Sequence, residues 1–212
     1  LYITRNLEAT ILKYLDSPEI IAITGPRQSG KTTMARKIID GLGNSISVSF
    51  DDQATLALFE KNPDDFITAY VRGHSYLFID EFQYAKQGGK ILKYIFDKEK
   101  TKIFISGSSA LDLTVQAMKY LVGRILVFHL YPFDFHEFLL AKDKSILKLY
   151  EEYKKKVNFS KIISLAVSEP AHQKISRYYE EYLLFGGYPR VVIENDLEAK
   201  KELLKNIYNT YF

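Results

Sequence analysis

The feature that most constrains this chain is a short apolar run that leads straight into a loop bounded by glycines. Residues 20–23 read Ile-Ile-Ala-Ile, a pattern typical of a buried strand. Residues 25–32 read Gly-Pro-Arg-Gln-Ser-Gly-Lys-Thr and match G-x-x-x-x-G-K-[ST] in full, and residues 32–39 then predict a helix. A strand, such a loop and a helix in this order predict a phosphate-binding loop within an α/β fold.

The residue types in the loop suit the chemistry of phosphate binding. Gly25 and Gly30 allow tight turns, so that successive backbone N–H groups face inward toward an anion. Lys31 would place a positive charge beside the β- and γ-phosphates of ATP, and the hydroxyl of Thr32 would ligate Mg²⁺. The residues expected to bind the nucleotide are Gly25, Pro26, Arg27, Gln28, Ser29, Gly30, Lys31, Thr32 and Thr33.

A second apolar run, at residues 76–79, ends in two acids, Asp80 and Glu81. Such a strand would deliver both carboxylates to the carboxyl edge of the sheet, where nucleotide phosphates bind in open α/β folds. Asp80 would hold Mg²⁺, mostly through its water shell, and Glu81 would orient and deprotonate an attacking water. Acids also follow strands at ordinary surface turns, but a phosphate-binding loop upstream favours the functional interpretation.

Spacing alone does not decide the roles of polar residues at two further places in the chain. The apolar run at 102–105 ends in Ser106-Gly107-Ser108-Ser109. If this strand lies beside the one before the loop, a hydroxyl there would contact the γ-phosphate or the attacking water; otherwise the stretch is a turn that caps the next helix. Arg124 precedes the last apolar run, where it would neutralise transition-state charge or stabilise a helix C-terminus.

Composition narrows the possible function classes. The 29 Lys and Arg against 26 Asp and Glu leave a net charge of +3, too weak to argue for nucleic acid. The chain has no cysteine, which excludes a disulfide framework and a cysteine zinc site. No apolar run is long enough to span a membrane and the start is not a signal peptide, so we expect a cytoplasmic protein. The first residue is Leu1, so we expect a segment of a longer protein.

Short apolar runs alternate with helical patterns as far as residue 132. Apolar runs at 20–24, 76–79, 102–105 and 125–130 and alternating polar and apolar residues at 45–50 predict strands, with helices between them, a loop at Gly88-Gly89 and a helix at 111–121. This alternation predicts a parallel sheet in a three-layer αβα fold. Residues 133–212 predict mostly helices. We therefore expect an ATPase core at 1–132 and a helical segment at 133–212.

Seven short motifs occur in order along the chain: Gly-Pro-Arg-Gln-Ser-Gly-Lys-Thr-Thr at 25–33, Phe-Ile-Asp-Glu at 78–81, Ser-Gly-Ser-Ser-Ala at 106–110, Leu-Val-Gly-Arg at 121–124, Leu-Tyr-Pro-Phe at 130–133, His-Glu-Phe-Leu at 136–139 and Gly-Gly-Tyr-Pro at 186–189. In this order they resemble the predicted AAA+ ATPases of archaea and bacteria that carry an uncharacterised C-terminal region. The first two occur in many P-loop ATPases, and the others in this order are more specific.

The resemblance implies an AAA+ core in which the fourth strand lies between the strand before the loop and the Asp80 strand. It makes Ser106 the sensor-1 residue, with Ser108 as the second choice. It also places Arg124 where AAA+ proteins carry an arginine finger, which implies a homo-oligomer. The helical segment departs from the family pattern, because it shows no clear sensor-2 arginine; Arg177 and Arg190 are candidates. Related proteins continue beyond the position of the last residue.

These observations predict an AAA+-type ATPase that couples the hydrolysis of Mg-ATP to conformational change. The alternative is a low-turnover ATP-dependent switch or scaffold. Association with DNA or with a protein client is a hypothesis that the sequence itself does not support. A small-molecule kinase would need a lid with clustered arginines, a pattern that the sequence lacks. The helical segment is rich in aromatic residues at helical spacing, which favours a core or domain interface over a base-stacking platform. Those residues are Tyr178, Tyr179, Tyr182, Phe185 and Tyr188.

Overall fold

The computed structural model describes residues 2–108, 119–156 and 169–211. The chain divides into two compact units. The first unit is Arg5–Tyr131, and the second joins the N-terminal residues as far as Thr4 to the described residues from Pro132 onward. That these units are separate domains stays a prediction.

The first unit is built on a five-stranded parallel sheet with the strand order β2-β3-β4-β1-β5. The strands are β1 Ile20–Thr24, β2 Ser45–Ser49, β3 Tyr76–Asp80, β4 Lys102–Gly107 and β5 Ile125–His129. The central strands β1 and β4 are buried along their whole length, whereas the edge strands β2 and β5 are largely half-buried. Strand β4 lies between β1 and β3, as the resemblance implied.

Helices cover both faces of this sheet. They are α1 Asn6–Leu12, α2 Lys31–Asp40, α3 Gln53–Lys61, α4 Pro63–Phe66, a π-helical turn Ile67–Val71, a 3₁₀ turn Phe82–Tyr84 and α5 Gly88–Lys98. On one face, Ile11 of α1 and Met34 of α2 pack against Ile21 and Ile23 of β1. On the other, a cluster that includes Phe59 of α3 packs against the alternate strand residues. The predicted three-layer fold is confirmed.

One predicted loop of this unit is part of a helix in the structure. The loop predicted at Gly88-Gly89 is wrong, because both glycines are buried and begin helix α5. A Cβ at Gly88 would lie 2.7 Å from the Phe82 ring, so only glycine allows the helix to approach that ring so closely. The helix predicted at 111–121 lies outside the described residues except for its last three, which are helical.

The described part of the second unit is helical, as predicted. Its helices are α6 Phe135–Lys142, α7 Lys144–Lys156, α8 Glu169–Phe185, α9 Pro189–Ile193 and α10 Leu197–Tyr211. Tyr178 and Tyr182 of α8 pack against Phe138 of α6, with ring centroids 6.3 and 5.4 Å apart. Both tyrosines are half-buried and pack against the core of this unit, which agrees with the expected role of these aromatic side chains in a core or domain interface.

The Gly-Gly-Tyr-Pro motif forms a tight backbone contact within the second unit. The N–H of Phe133 donates to the carbonyl of Gly187 at 2.7 Å, and the hydroxyl of Tyr182 donates to the carbonyl of Phe133 at 3.0 Å. A Cβ at Gly187 would lie 2.0 Å from the carbonyl oxygen of Phe133. This motif and the Leu-Tyr-Pro-Phe motif therefore meet through their backbones.

Within the ranges that the structure describes, none of the helices combines the length and the apolar character that crossing a membrane requires.

Candidate functional site

The loop between β1 and α2 has the backbone conformation that its glycines predict. Gly25 has φ 144° and Gly30 has φ 96°, and Gln28 is left-handed at φ 61°. A Cβ at Gly25 would lie 2.1 Å from the carbonyl oxygen of Leu130, whose N–H donates to Thr24 at 2.8 Å. Gly25 is thus required both by its φ and by the close approach of the segment after β5.

Lys31 begins helix α2 and is only 6% exposed. Its Nζ donates to the carbonyl of Pro26 at 2.9 Å, inside the same loop. Burial lowers the pKa of Lys31 below the ordinary 10.5, while the nearby carboxylates of Glu81 and Asp80 act in the opposite direction. The amine is therefore a partly desolvated cation, whose attraction to an anion is stronger than that of a lysine in water.

Three elements bring polar groups together at Asp80, the last residue of β3. Asp80 is 6% exposed. Its Oδ1 accepts from the hydroxyl of Thr32 at 3.2 Å and from the hydroxyl of Ser106 on the neighbouring strand β4. The strand order explains this meeting, because β4 pairs with both β1 and β3. Sequence positions 32, 80 and 106 thus form one cluster at the carboxyl edge of the sheet.

Glu81 directly follows β3 in the left-handed conformation, with φ 53° and ψ 40°. Its Oε2 accepts from the side-chain amide of Gln83, which also lies 3.4 Å from the hydroxyl of Ser108. Between them, Phe82 is buried in the core and anchors the turn. A non-glycine residue in this region costs on the order of 1 kcal/mol. The surrounding packing holds Glu81 there.

The donor set at Asp80 fits a hard divalent cation. Mg²⁺ prefers oxygen ligands, and a carboxylate and a threonine hydroxyl already lie within hydrogen-bonding distance of one another here. A buried lysine amine and the N-terminus of α2 belong to the same loop. These residues fit the metal and the polyphosphate that the sequence predicts.

Arg124 does not join this cluster. It precedes β5, and its carbonyl accepts from the N–H of Ile20 at 2.8 Å, which places it at the amino edge of the sheet. Its Nε donates to Asp97 at 3.1 Å, and its guanidinium lies 6.0 Å from the centre of the Phe96 ring. Within one chain, Arg124 therefore lies at the opposite edge from Asp80. A role in the site of a neighbouring subunit stays a prediction.

The sensor-2 candidates also stay predictions. Arg177 lies on α8 and Arg190 on α9, both in the second unit.

Two residues at the site were missed by sequence reasoning. Gln83 contacts Glu81, and Arg5 donates to the carbonyl of Ser29 within the loop at 2.9 Å. Gln83 follows Asp80-Glu81 so closely that a search of the next turn for carboxylate partners would have found it. Arg5 lies 24 residues before Ser29, and no local pattern marks it.

Comparison with known proteins places this geometry in a family. The AAA domain family matches residues 17–139, more than half of the 212 residues and the whole of the loop, β3 and β4. The chain belongs to the AAA domain family. Its membership agrees with the resemblance seen in the sequence.

Solved structures with the fold of this AAA domain chain include P-loop ATPases. A Walker-type ATPase of Pyrococcus abyssi superposes with a TM-score of 0.59 at 16% identity, covering 99% of this chain and 74% of that one. DnaA of Aquifex aeolicus, solved with AMPPCP bound, gives a TM-score of 0.52 at 18% identity, covering 96% and 62%. At these identities the likeness shows the fold.

Curated relatives of the AAA domain chain are uncharacterised proteins. One from Methanocaldococcus jannaschii is 28% identical over 214 residues, which is 99% of this chain and 44% of the relative. One from Haemophilus influenzae is 26% identical over 216 residues, or 97% of this chain and 48% of the relative. The chain therefore spans less than half the length of these relatives.

Proposed function

We propose that this chain binds Mg-ATP at the carboxyl edge of its sheet and hydrolyses it, so that the reaction drives conformational change. The observation that carries the proposal is the cluster at Asp80, where Thr32 and Ser106 donate to one carboxylate oxygen beside the buried amine of Lys31. Family membership and the fold shared with ATPases support the same conclusion.

Binding depends on the loop and on the helix that follows it. The positive φ angles of Gly25, Gln28 and Gly30 turn the backbone so that it forms a concave set of N–H donors. Helix α2 has ten residues, and its N-terminus carries a partial positive charge directed at the same place. Lys31 adds a full charge. Together they favour a polyphosphate over a neutral ligand.

Thr32 and Asp80 would hold the metal. When bound, Mg²⁺ supplies charge neutralisation on the phosphate oxygens. The Thr32 hydroxyl would then exchange its contact with Asp80 for a metal bond.

Glu81 is the group that would accept a proton from the attacking water. The water oxygen forms a bond to the γ-phosphorus as the bond from that phosphorus to the β,γ-bridging oxygen breaks, and the products are ADP and phosphate. The carboxylate of Glu81 lies one residue beyond Asp80, at the end of the same strand. Lys31 offsets the charge that develops on the phosphate oxygens, and Ser106 keeps Asp80 in place.

A second candidate is a switch that binds ATP and turns it over slowly. The contact between Gln83 and Glu81 favours it, because the amide of Gln83 occupies an oxygen of the carboxylate that would have to accept the proton of the attacking water. In this arrangement, hydrolysis would begin only after the hydrogen bond between Gln83 and Glu81 breaks.

Three variants separate the two candidates. Lys31→Ala should abolish the binding of MgADP in titration calorimetry. Glu81→Gln should retain that binding and lower the rate of ATP hydrolysis by about a hundredfold or more. If the wild type hydrolyses ATP no faster than Glu81→Gln, the catalytic proposal fails. Gln83→Ala then tests the switch, which predicts a faster rate in this variant than in the wild type.

This chain spans 44% and 48% of the length of the two relatives, and the comparisons do not identify a client for the whole protein. A DNA or protein client, a homo-oligomer and the cytoplasmic location stay predictions. DNA binding by the full-length protein would weaken steeply with salt, and its absence at low salt would count against a DNA client.

A further inference from the structure

Arg5 is one of the most buried charged residues of the first unit, at 5% exposure. It directly precedes helix α1, and its backbone is held by Glu8 on the first turn. The N–H of Arg5 donates to Oε1 of Glu8 at 2.5 Å, and the carbonyl of Arg5 accepts from the N–H of Glu8 at 3.0 Å. The side chain therefore extends from a fixed point.

The guanidinium of Arg5 donates to two backbone carbonyls that are distant in sequence. Nη1 donates to Ser29 at 2.9 Å, and Nη2 donates to Tyr131 at 2.7 Å. Tyr131 follows Leu130, whose N–H is bonded to Thr24 at the end of β1. One planar cation thus ties the phosphate-binding loop to the segment after β5. Charge-assisted, forked bonds of this kind are stronger than neutral ones and fix orientation.

The contact with Ser29 has a consequence for the other side of the same peptide group. The carbonyl of Ser29 and the N–H of Gly30 share one planar unit, and the described residues contain no cis peptide bond. In a trans peptide the carbonyl and the N–H point in opposite directions. Holding the carbonyl on Arg5 therefore turns the N–H of Gly30 away from Arg5. Gly30 is the residue that caps helix α2 and is one of the expected phosphate ligands.

We infer that Arg5 is a positioning residue of the phosphate-binding loop, which sets nucleotide affinity by orienting the peptide group between Ser29 and Gly30. The inference rests on the proposed nucleotide binding and adds a residue from outside the loop motif. Arg5 acts through Ser29 and does not itself contact the phosphates.

The test compares nucleotide affinity with stability in the intact chain. Arg5→Met removes both bonds and the charge, and should raise the Kd for MgADP in titration calorimetry by about tenfold or more, equivalent to ~1.4 kcal/mol. Arg5→Lys keeps the charge but lacks the fork, and its Kd should lie between those of wild type and Arg5→Met. MgADP is the probe because hydrolysis cannot consume it.

Lys102 provides a matched control. It is also a buried cation of the first unit, and its Nζ donates to the carbonyls of Tyr14, Ser17 and Glu19 at 2.6–2.7 Å. It begins β4 at the amino edge, away from the loop. Lys102→Met should therefore lower the melting temperature while leaving the Kd for MgADP unchanged. A merely structural role for Arg5 would give the same result in Arg5→Met.

The outcomes are distinct. If wild type binds MgADP and both Arg5 variants bind it within about twofold of wild type, the inference is overturned. If Arg5→Met does not fold, the Kd of Arg5→Lys for MgADP is the test. A Kd equal to that of wild type in this variant overturns the inference. If wild type itself binds no better than Lys31→Ala, it is the proposed function that fails.

Discussion

The contact between Gly187 and Phe133 gives a prediction whose size follows from the structure. A Cβ at position 187 would lie 2.0 Å from the carbonyl oxygen of Phe133 and 3.0 Å from its nitrogen. Gly187→Ala must therefore move these backbones apart, which breaks the 2.7 Å bond from Phe133 and displaces the hydroxyl of Tyr182. Overpacking costs ~1–3 kcal/mol and each lost hydrogen bond ~1 kcal/mol, so we expect a loss of about 3–5 kcal/mol.

The neighbouring Gly186 supplies the control. It has φ 69°, and a Cβ there would meet nothing within 4 Å. Gly186→Ala should cost only the ~1–2 kcal/mol of a left-handed residue. Urea unfolding followed by tyrosine fluorescence measures both variants, since the chain has no tryptophan. If Gly187→Ala loses no more stability than Gly186→Ala, the reasoning about this contact is wrong.

Three further predictions concern the candidate site. Burial lowers the pKa of Lys31, so MgADP affinity should be full below that pKa and fall as the pH rises through it, at a lower pH than for an ordinary lysine. Titration calorimetry from pH 7 upward checks this, and Lys31→Arg should show a flat profile because its charge persists. Ser106→Ala removes a hydrogen-bond donor to Asp80. It should lower the rate of ATP hydrolysis about tenfold or more, while the Kd for MgADP stays within about threefold of wild type. An unchanged rate would contradict a role of Ser106 in hydrolysis. If Arg124 acts in a neighbouring subunit, the hydrolysis rate per chain should rise with protein concentration in wild type and stay flat in Arg124→Ala. A flat wild-type profile would contradict that role.

The strands were predictable because four of them are short apolar runs bounded by turn residues, and β2 alternates polar with apolar residues. β1, β3 and β4 lie within two residues of their predicted ends. Periodicity does not predict the order of the strands in the sheet, since an apolar run does not indicate with which other strand it pairs. The position of β4 came from the resemblance. The short helix α9 was missed, because Pro189 begins it after Gly186-Gly187-Tyr188, where local propensity indicates a turn.

The candidate site likewise contains residues that a local motif predicts and residues that only the tertiary structure brings together. Lys31 and Thr32 follow from a local motif, whose spacing already implies the loop geometry. The meeting of Asp80 with Ser106 depends on strand order, and therefore on tertiary structure. The bond from Arg5 to Tyr131 spans 126 positions of the chain and has no local signature at either end. Sequence reasoning finds what a motif encodes and misses what only packing brings together.

The bond between Lys31 and Pro26 holds the lysine amine at a fixed place in the loop. It uses one of the three N–H donors of the ammonium group, at 2.9 Å, and leaves the other two for a ligand. A phosphate oxygen carries negative charge, and its bond to an ammonium group is roughly twice as strong as a bond between neutral groups. The free loop is therefore already arranged to prefer a charged ligand over a neutral one of the same shape.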